Sequence, residues 1–323
     1  MRRLGRLGGA VGLALLLAAV WLSRSWSGDG PAERPLTVQI REGSSLAGAA
    51  TRLEQVGAIR SASRFRLFAR VLGSGESIKA GEYALPAKAS PSAILELLQA
   101  GKALQRLVAV PEGYPSVMVY DAVQRANGLI GDAPLPAEGS ILPDSYAFER
   151  GQTRAEVVER MQHAMRDYLA KAWRKRKPGI AVASPAQAIT LASIVEKETG
   201  KASERRTIAA VYGNRLRIGM PLQADPTVIY PITKGRPLGR RILRSELDDS
   251  ENGYNTYARS GLPVGPIANP GRASIDAVLD PAPSKALYFV ADGTGGHVFA
   301  DTLAEHNANV RRWYAIRKAR GEM

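Results

Sequence analysis

Two carboxylic acids stand one residue apart at the end of an uncharged run. Ala188-Ile189-Thr190-Leu191-Ala192-Ser193-Ile194-Val195 is followed by Glu196, Lys197 and Glu198. A carboxyl at the end of a mostly buried helix is partly desolvated, which raises its pKa and lets it hold a proton near neutral pH, as a general acid must. The helix itself is marked by its boundaries: Ser184 as N-cap, Pro185 at the first helical position, Gln187 to close a capping box and Gly200 as the stop. At about 100° per residue, Glu196 continues the stripe of Ile189, Ala192 and Ser193. Glu198 continues that of Leu191, Ile194 and Val195 and points about 200° away. The two acids therefore cannot work as a facing pair. Ordinary ion pairs with Lys197, Lys201 or Arg205 are the competing use of both.

Composition narrows the chemistry further. A chain of 323 residues, 45% hydrophobic and 23% charged, is long enough for two globular domains. With no cysteine there is no disulfide, thiolate zinc site or cysteine nucleophile. His163, His297 and His306 are scattered without ligand spacing, so neither metal nor cofactor is expected. The net charge of +14 is spread along the chain, and nucleic acid is not an expected partner. The densest basic run, Lys171 with Arg174 to Lys177, reads either as a solvated helix end or as a contact for an anionic envelope polymer or lipid headgroup.

Arg2, Arg3 and Arg6 precede an apolar run from Leu7 to Leu22 and then Ser23-Arg24. No small-x-small cleavage site follows the run, and Trp21 and Trp26 suit a membrane interface. Residues 1–26 are thus expected to be a cytoplasmic tip and an N-terminal transmembrane helix, with a cleaved signal peptide as the alternative. The basic tip predicts a single-pass protein of the cell inner membrane with its body in the periplasm. Gly28 to Pro35 reads as a linker, and residues 36–105 as a small α+β subdomain of strand, helix, helix, strand and a further helix. Residues 106–323 read as a mixed α+β catalytic domain: a basic helix over about Thr153 to Lys175, the Glu196 helix, a helix from Glu204 capped by Ser203, a buried strand at Ala286 to Ala291 and a terminal helix from Leu303. The segment from Tyr254 to Gly271, rich in Gly, Pro and Asn, reads as an ordered loop near a site, with disorder as its alternative.

Several stretches taken together resemble a known family. They are Ala192 to Thr199, Asn214 to Tyr230, Tyr254-Asn255-Thr256-Tyr257, Gly261-Leu262-Pro263 with Ile267 to Gly271, and Tyr288 to Gly293. In order and spacing, from about Leu36 to the terminal helix, they closely resemble the endolytic murein transglycosylases of bacteria, and the small N-terminal module resembles that family's LysM-like subdomain. The resemblance implies cleavage of the β-1,4 bond between N-acetylmuramic acid and N-acetylglucosamine within nascent peptidoglycan strands, leaving 1,6-anhydro ends and terminating elongation. It also implies association with peptidoglycan synthases. The family's catalytic acid falls on Glu196, and Glu198 is left as structural. Glu204, Gln223, Asp225 and Asn255, in or beside the matching stretches, are candidates to hydrogen-bond sugar hydroxyls and acetamides. Each has a local alternative: Asp225-Pro226 starting a turn, Asn255 capping a loop. Tyr254 and Tyr257 could stack on sugars or anchor the loop. Two readings compete with the lytic one, a membrane-anchored glycan-binding scaffold without catalysis and a muramidase that uses water. Ser193 and Lys197 are spaced one residue too far apart for the S-x-x-K of penicillin-binding enzymes.

Overall fold

In the computed structural model, which describes Leu17 and residues 20–322, the chain divides after Arg106 into two units. The first contains β1 (Leu36–Ile40), α1 (Leu46–Gln55), α2 (Ala62–Leu72), β2 (Gly81–Leu85) and α3 (Pro91–Ala100). Serines start all three helices: Ser45, Ser61 and Ser90 each accept the amide of the residue three further on, which satisfies one of the otherwise open donors of the first turn. β1 and β2 pair antiparallel from Leu36 opposite Leu85 to Ile40 opposite Gly81. The inward alternation of Val38, Ile40, Tyr83 and Leu85 meets Leu53, Phe65, Phe68, Leu95 and Leu98 from the helices to form the unit's core.

The expected N-terminal transmembrane helix, and with it the single-pass inner-membrane location, requires correction. Among the described residues no helix is long and apolar enough to cross a membrane. Residues 20–27 are helical, but they carry Ser23, Arg24, Ser25 and Ser27 on two turns. Trp26, read as an interfacial residue, is 8% exposed and lies 6.0 Å, centroid to centroid, from each of Phe65 and Phe68 in the unit's own core. Residues 1–16, 18 and 19, the larger part of the apolar run, lie outside the described residues. Residues 28–35, read as a linker, are bonded to the same unit: Gly30 donates to the Lys88 carbonyl and Lys88 to that of Ala32.

The second unit begins with β3 (Arg106–Ala109), which pairs with β4 (Ser145–Phe148). Its helices are α4 (Ser116–Gln124), α5 (Arg154–Arg174), α6 (Pro185–Glu198), α7 (Arg205–Arg217), α8 (Asp225–Thr233), the short α9 (Arg244–Leu247), α10 (Arg272–Leu279) and α11 (Leu303–Ala319). β5 (Tyr288–Ala291) and β6 (His297–Ala300) form an antiparallel hairpin. Thr153 and Thr302 open α5 and α11 with full capping boxes to Glu156 and Glu305.

The centre of this unit is α6, where every residue from Ala188 to Val195 is buried. It packs against α5, α7, α8 and α10, so an uncharged circumference is what its position requires. Its start departs from the expected capping box. Ser184 accepts the Gln187 amide at 3.2 Å, but the Gln187 side chain accepts from Ala183, one residue before the cap. Its end departs too: Thr199 turns extended, at φ −142°, before Gly200 is reached. Three other elements differ from the sequence reading. α8 was not expected at all, α7 is entered from a 3₁₀ turn at Ala202–Glu204 rather than capped by Ser203, and β5 is half-buried rather than buried.

Candidate active site

The last turn of α6 delivers Glu196 with its side chain 5% exposed. A carboxyl so far from water needs partners, and two reach it. Oε2 accepts the backbone N–H of Gly271 at 2.8 Å, and Oε1 lies 3.4 Å from Nη2 of Arg205, the first residue of α7. The same Nη2 lies 3.6 Å from Oε2 of Glu112, whose side chain is 45% exposed. One guanidinium is thus shared between two carboxylates, one sunk in the protein and one at its surface. The ion pair with Arg205 weighed from the sequence exists, although it is long.

Glycines make the close approach possible. A Cβ on Gly271 would fall 1.9 Å from Glu112 Oε1, and one on Gly113, at φ +73°, would fall 3.3 Å from Glu196 Cγ. Asn269 fixes the segments that carry these glycines. Its backbone exchanges hydrogen bonds with the Pro111–Tyr114 turn, accepting from Gly113 and donating to Tyr114. Its side-chain Oδ1 accepts the Ile141 amide at 2.9 Å, while Nδ2 donates to the Tyr114 carbonyl, Ser116 Oγ and Glu138 Oε1. Ser193, on α6, accepts the Ile267 amide at 3.0 Å. The segment from Ile267 to Gly271 is therefore bonded directly to the helix that bears Glu196.

Glu138 accepts from both the amide and the hydroxyl of Ser116 at the start of α4. Burial pushes its carboxyl above the usual range, and the hydrogen bonds from Ser116 and Tyr230 oppose that shift without cancelling it. Tyr230 in turn packs on Tyr254, with ring centroids 4.9 Å apart.

On the other side of the helix end, Glu198 enters a separate cluster. Burial raises its carboxyl to about 7, opposed by a hydrogen bond from Tyr212 and the charge of Arg215, while the charge of Asp225 adds to the rise. Tyr212 is 1% exposed, and its hydroxyl is pushed well above its ordinary value, first by burial and then by Glu198 itself. Of the two acids at this helix end, it is Glu198 that burial lifts toward neutral pH.

The four candidate sugar contacts are not brought together around Glu196. Glu204 faces the β5–β6 hairpin, with Oε2 2.7 Å from His297 Nδ1 and Oε1 accepting the His297 amide. Burial works to raise its pKa, but the His297 hydrogen bonds and the charges of His297 and Lys201 together outweigh it, and the carboxyl lies below its ordinary value. Asn255, 1% exposed, spends its amide on its own loop: Nδ2 donates to the carbonyls of Glu246, Leu247 and Asp249, and Oδ1 accepts from Tyr257 and Ala258. Asp225 is exposed and accepts the Tyr257 hydroxyl beside the Glu198 cluster. Gln223 is exposed, holds a left-handed φ of +54°, and donates its amide to the Thr256 carbonyl. Tyr254 and Tyr257 both act as loop anchors here, through Tyr230 and Asp225. Glu112, Gly271, Asn269 and Glu138 were not named as site residues from the sequence. Asn269 and Gly271 lie in one of the stretches that carry the family resemblance, and Glu112 in a Pro-Glu-Gly turn, which were the signals there to find. Among the described residues no group of three or more His, Asp or Glu side chains is placed to hold a metal ion.

The profile of the YceG-like family matches residues 38–312, and the chain belongs to that family. An endolytic murein transglycosylase of Bacillus subtilis (strain 168) is 38% identical over 173 residues, which cover 53% of this chain and 46% of that protein. An endolytic murein transglycosylase of Streptococcus pneumoniae (serotype 2, strain D39) is 27% identical over 330 residues, covering 87% of this chain and 59% of that protein. The chain thus spans about half the length of these curated relatives. The crystal structure of a YceG-like protein from Listeria monocytogenes superposes with a TM-score of 0.52 at 29% identity, over 86% of this chain and 99% of that one.

Proposed function

We propose that this chain is a peptidoglycan lytic transglycosylase that cuts the β-1,4 bond between N-acetylmuramic acid and N-acetylglucosamine inside glycan strands, with Glu196 as its acid and base. The observation that carries this reading is the setting of Glu196. It is a carboxyl nearly withdrawn from water, held by one backbone N–H and one shared guanidinium, at the end of a buried helix. The names of the relatives support the substrate.

Protonated Glu196 would donate its proton to the glycosidic oxygen as that bond breaks and positive charge develops at C1 of the muramic acid. The resulting carboxylate would then take the proton of the C6 hydroxyl, whose oxygen bonds to C1 of the same sugar. The proton count closes: one leaves Glu196 with the departing sugar and one returns from C6. Intramolecular attack carries an effective molarity of about 10⁵ to 10⁸ M, enough to outrun water in a site that holds the ring. The Gly271 N–H would stabilise the carboxylate formed between the two steps. Gln223 and Asp225, being exposed, are the better placed of the four polar candidates to meet sugar, whereas Glu204 and Asn255 serve the hairpin and the loop. Ending strands in this way would place the protein among the synthases that lengthen them.

One observation favours a second reading. A hydrolytic glycosidase needs a second carboxyl about 5 to 9.5 Å from the first, and Glu112 shares Arg205 with Glu196. Product analysis decides between them. Mass spectrometry of strands digested by the full chain should show internal fragments with 1,6-anhydro ends, absent with Glu196→Gln. Reducing ends lost with Glu112→Gln would establish hydrolysis instead.

A further inference from the structure

Arg205 is an unusual partner for a group that must carry a proton. A guanidinium beside a buried carboxyl favours the anion, and an acid held permanently as the anion could not protonate a leaving group. The geometry contains a counterweight. Arg205 Nη2 lies 3.4 Å from Glu196 and 3.6 Å from Glu112, nearly midway. Its Nε is buried with no hydrogen-bond partner, and its side chain is 13% exposed. Glu112, pinned over Gly271 with no room for a Cβ between them, is held where it draws on that cation.

We propose that Arg205 and Glu112 are positioning residues that together set the charge around Glu196, Glu112 offsetting part of the Arg205 charge that Glu196 would otherwise meet alone. This rests on Glu196 being the acid. The other groups around Glu196 do not duplicate the pair. Lys197 is exposed on the same helix, with its stem against Gly113. Arg272, next to Gly271 on α10, is paired with Asp144. Asp225, at the start of α8, acts on Glu198.

The arrangement makes two variants move the pH profile in opposite directions, which no merely structural role would do. In Glu112→Gln the shape is kept but the charge is lost. Arg205 then acts undivided on Glu196, and the alkaline limb of kcat/KM, where the acid loses its proton, moves to lower pH by roughly one unit. In Arg205→Gln, Glu196 loses its cation and faces Glu112 alone, so the limb moves to higher pH. Arg205→Lys restores the charge and returns the limb toward that of the wild type. The experiment is the pH dependence of fragment release from uncrosslinked glycan strands by the full chain and these variants, with Glu196→Gln as control.

Opposed shifts, with Glu196→Gln inactive, support the pair. A limb unmoved in Glu112→Gln, or activity lost in that variant at every pH, overturns it while leaving Glu196 as the acid. Wild-type activity in Glu196→Gln would remove the acid assignment and the pair with it. Should Arg205→Gln fail to fold, Glu112→Gln decides alone, since its side chain is 45% exposed.

Discussion

Glu196 and Glu198 leave the same helix end in opposite directions and meet opposite surroundings. Glu196 is bonded by groups from two distant elements, the Gly271 amide and Arg205, beside a surface carboxylate and two glycines. Glu198 enters a cluster built around the fully buried Tyr212, where burial lifts it to about 7. A raised pKa alone would point to Glu198 as the acid; the proposal of Glu196 rests on the family resemblance and on the groups gathered around it. The difference lies in the setting: Glu196 meets a backbone amide and a guanidinium shared with a surface carboxylate, whereas Glu198 meets a buried tyrosine.

Four perturbations break or sharpen that contrast, from the largest expected effect to the smallest. Glu196→Gln should reduce strand cleavage by about 10² to 10⁴-fold with little change in denaturant midpoint, whereas Glu198→Gln should keep most activity. An exchange of the two phenotypes would invert the assignment. Asn269→Ala removes the partner of the Ile141 amide and of Glu138 in a buried network. Leaving such groups unpaired should cost about 2 to 4 kcal/mol in urea unfolding and impair cleavage, because the Gly271 segment loses its tether. Asn255→Ala, which frees five backbone groups in a loop bonded to neither acid, should lose at least comparable stability and less activity. Equal activity losses would erase the distinction drawn between the two asparagines.

The smallest effect concerns Glu198 and pH. Its carboxyl lies near 7 in the folded chain and, once unfolded, returns to about 4.3. The stability it contributes is therefore complete below about 4.3 and is lost as pH rises through about 7. Glu198→Gln, neutral throughout, should flatten the decline in urea midpoint between pH 5 and pH 8. An identical decline in both proteins would mean that Glu198 is not the group responsible.

The starts of three helices were legible because their signals are local: Ser184 and Pro185 open α6, and α5 and α11 begin at the positions expected near Thr153 and at Leu303. α8 was missed because Asp225-Pro226 also reads as the start of a turn. Pro226 instead occupies the first turn, where no amide is needed, and Pro231 falls in the last turn of a nine-residue helix. Helix angle separated Glu196 from Glu198 and Arg205 was within the sequence reading, but the more distant groups around Glu196 could not be read from spacing. Glu112 and Gly271 lie far along the chain on either side of it, and only the packed fold brings Gly271 to Glu196 and Glu112 to Arg205. The reading of Trp26 as interfacial misled for a related reason. Hydropathy does not distinguish a ring meant for a membrane interface from one, like Trp26, that completes a protein core.

The central claim is that Glu196, and not Glu198, carries the chemistry. Mass spectrometry of fragments released from uncrosslinked glycan strands by the wild type, Glu196→Gln and Glu198→Gln tests it directly. The account predicts 1,6-anhydro ends from the wild type and Glu198→Gln and none from Glu196→Gln. Anhydro fragments from Glu196→Gln at the wild-type rate would contradict it.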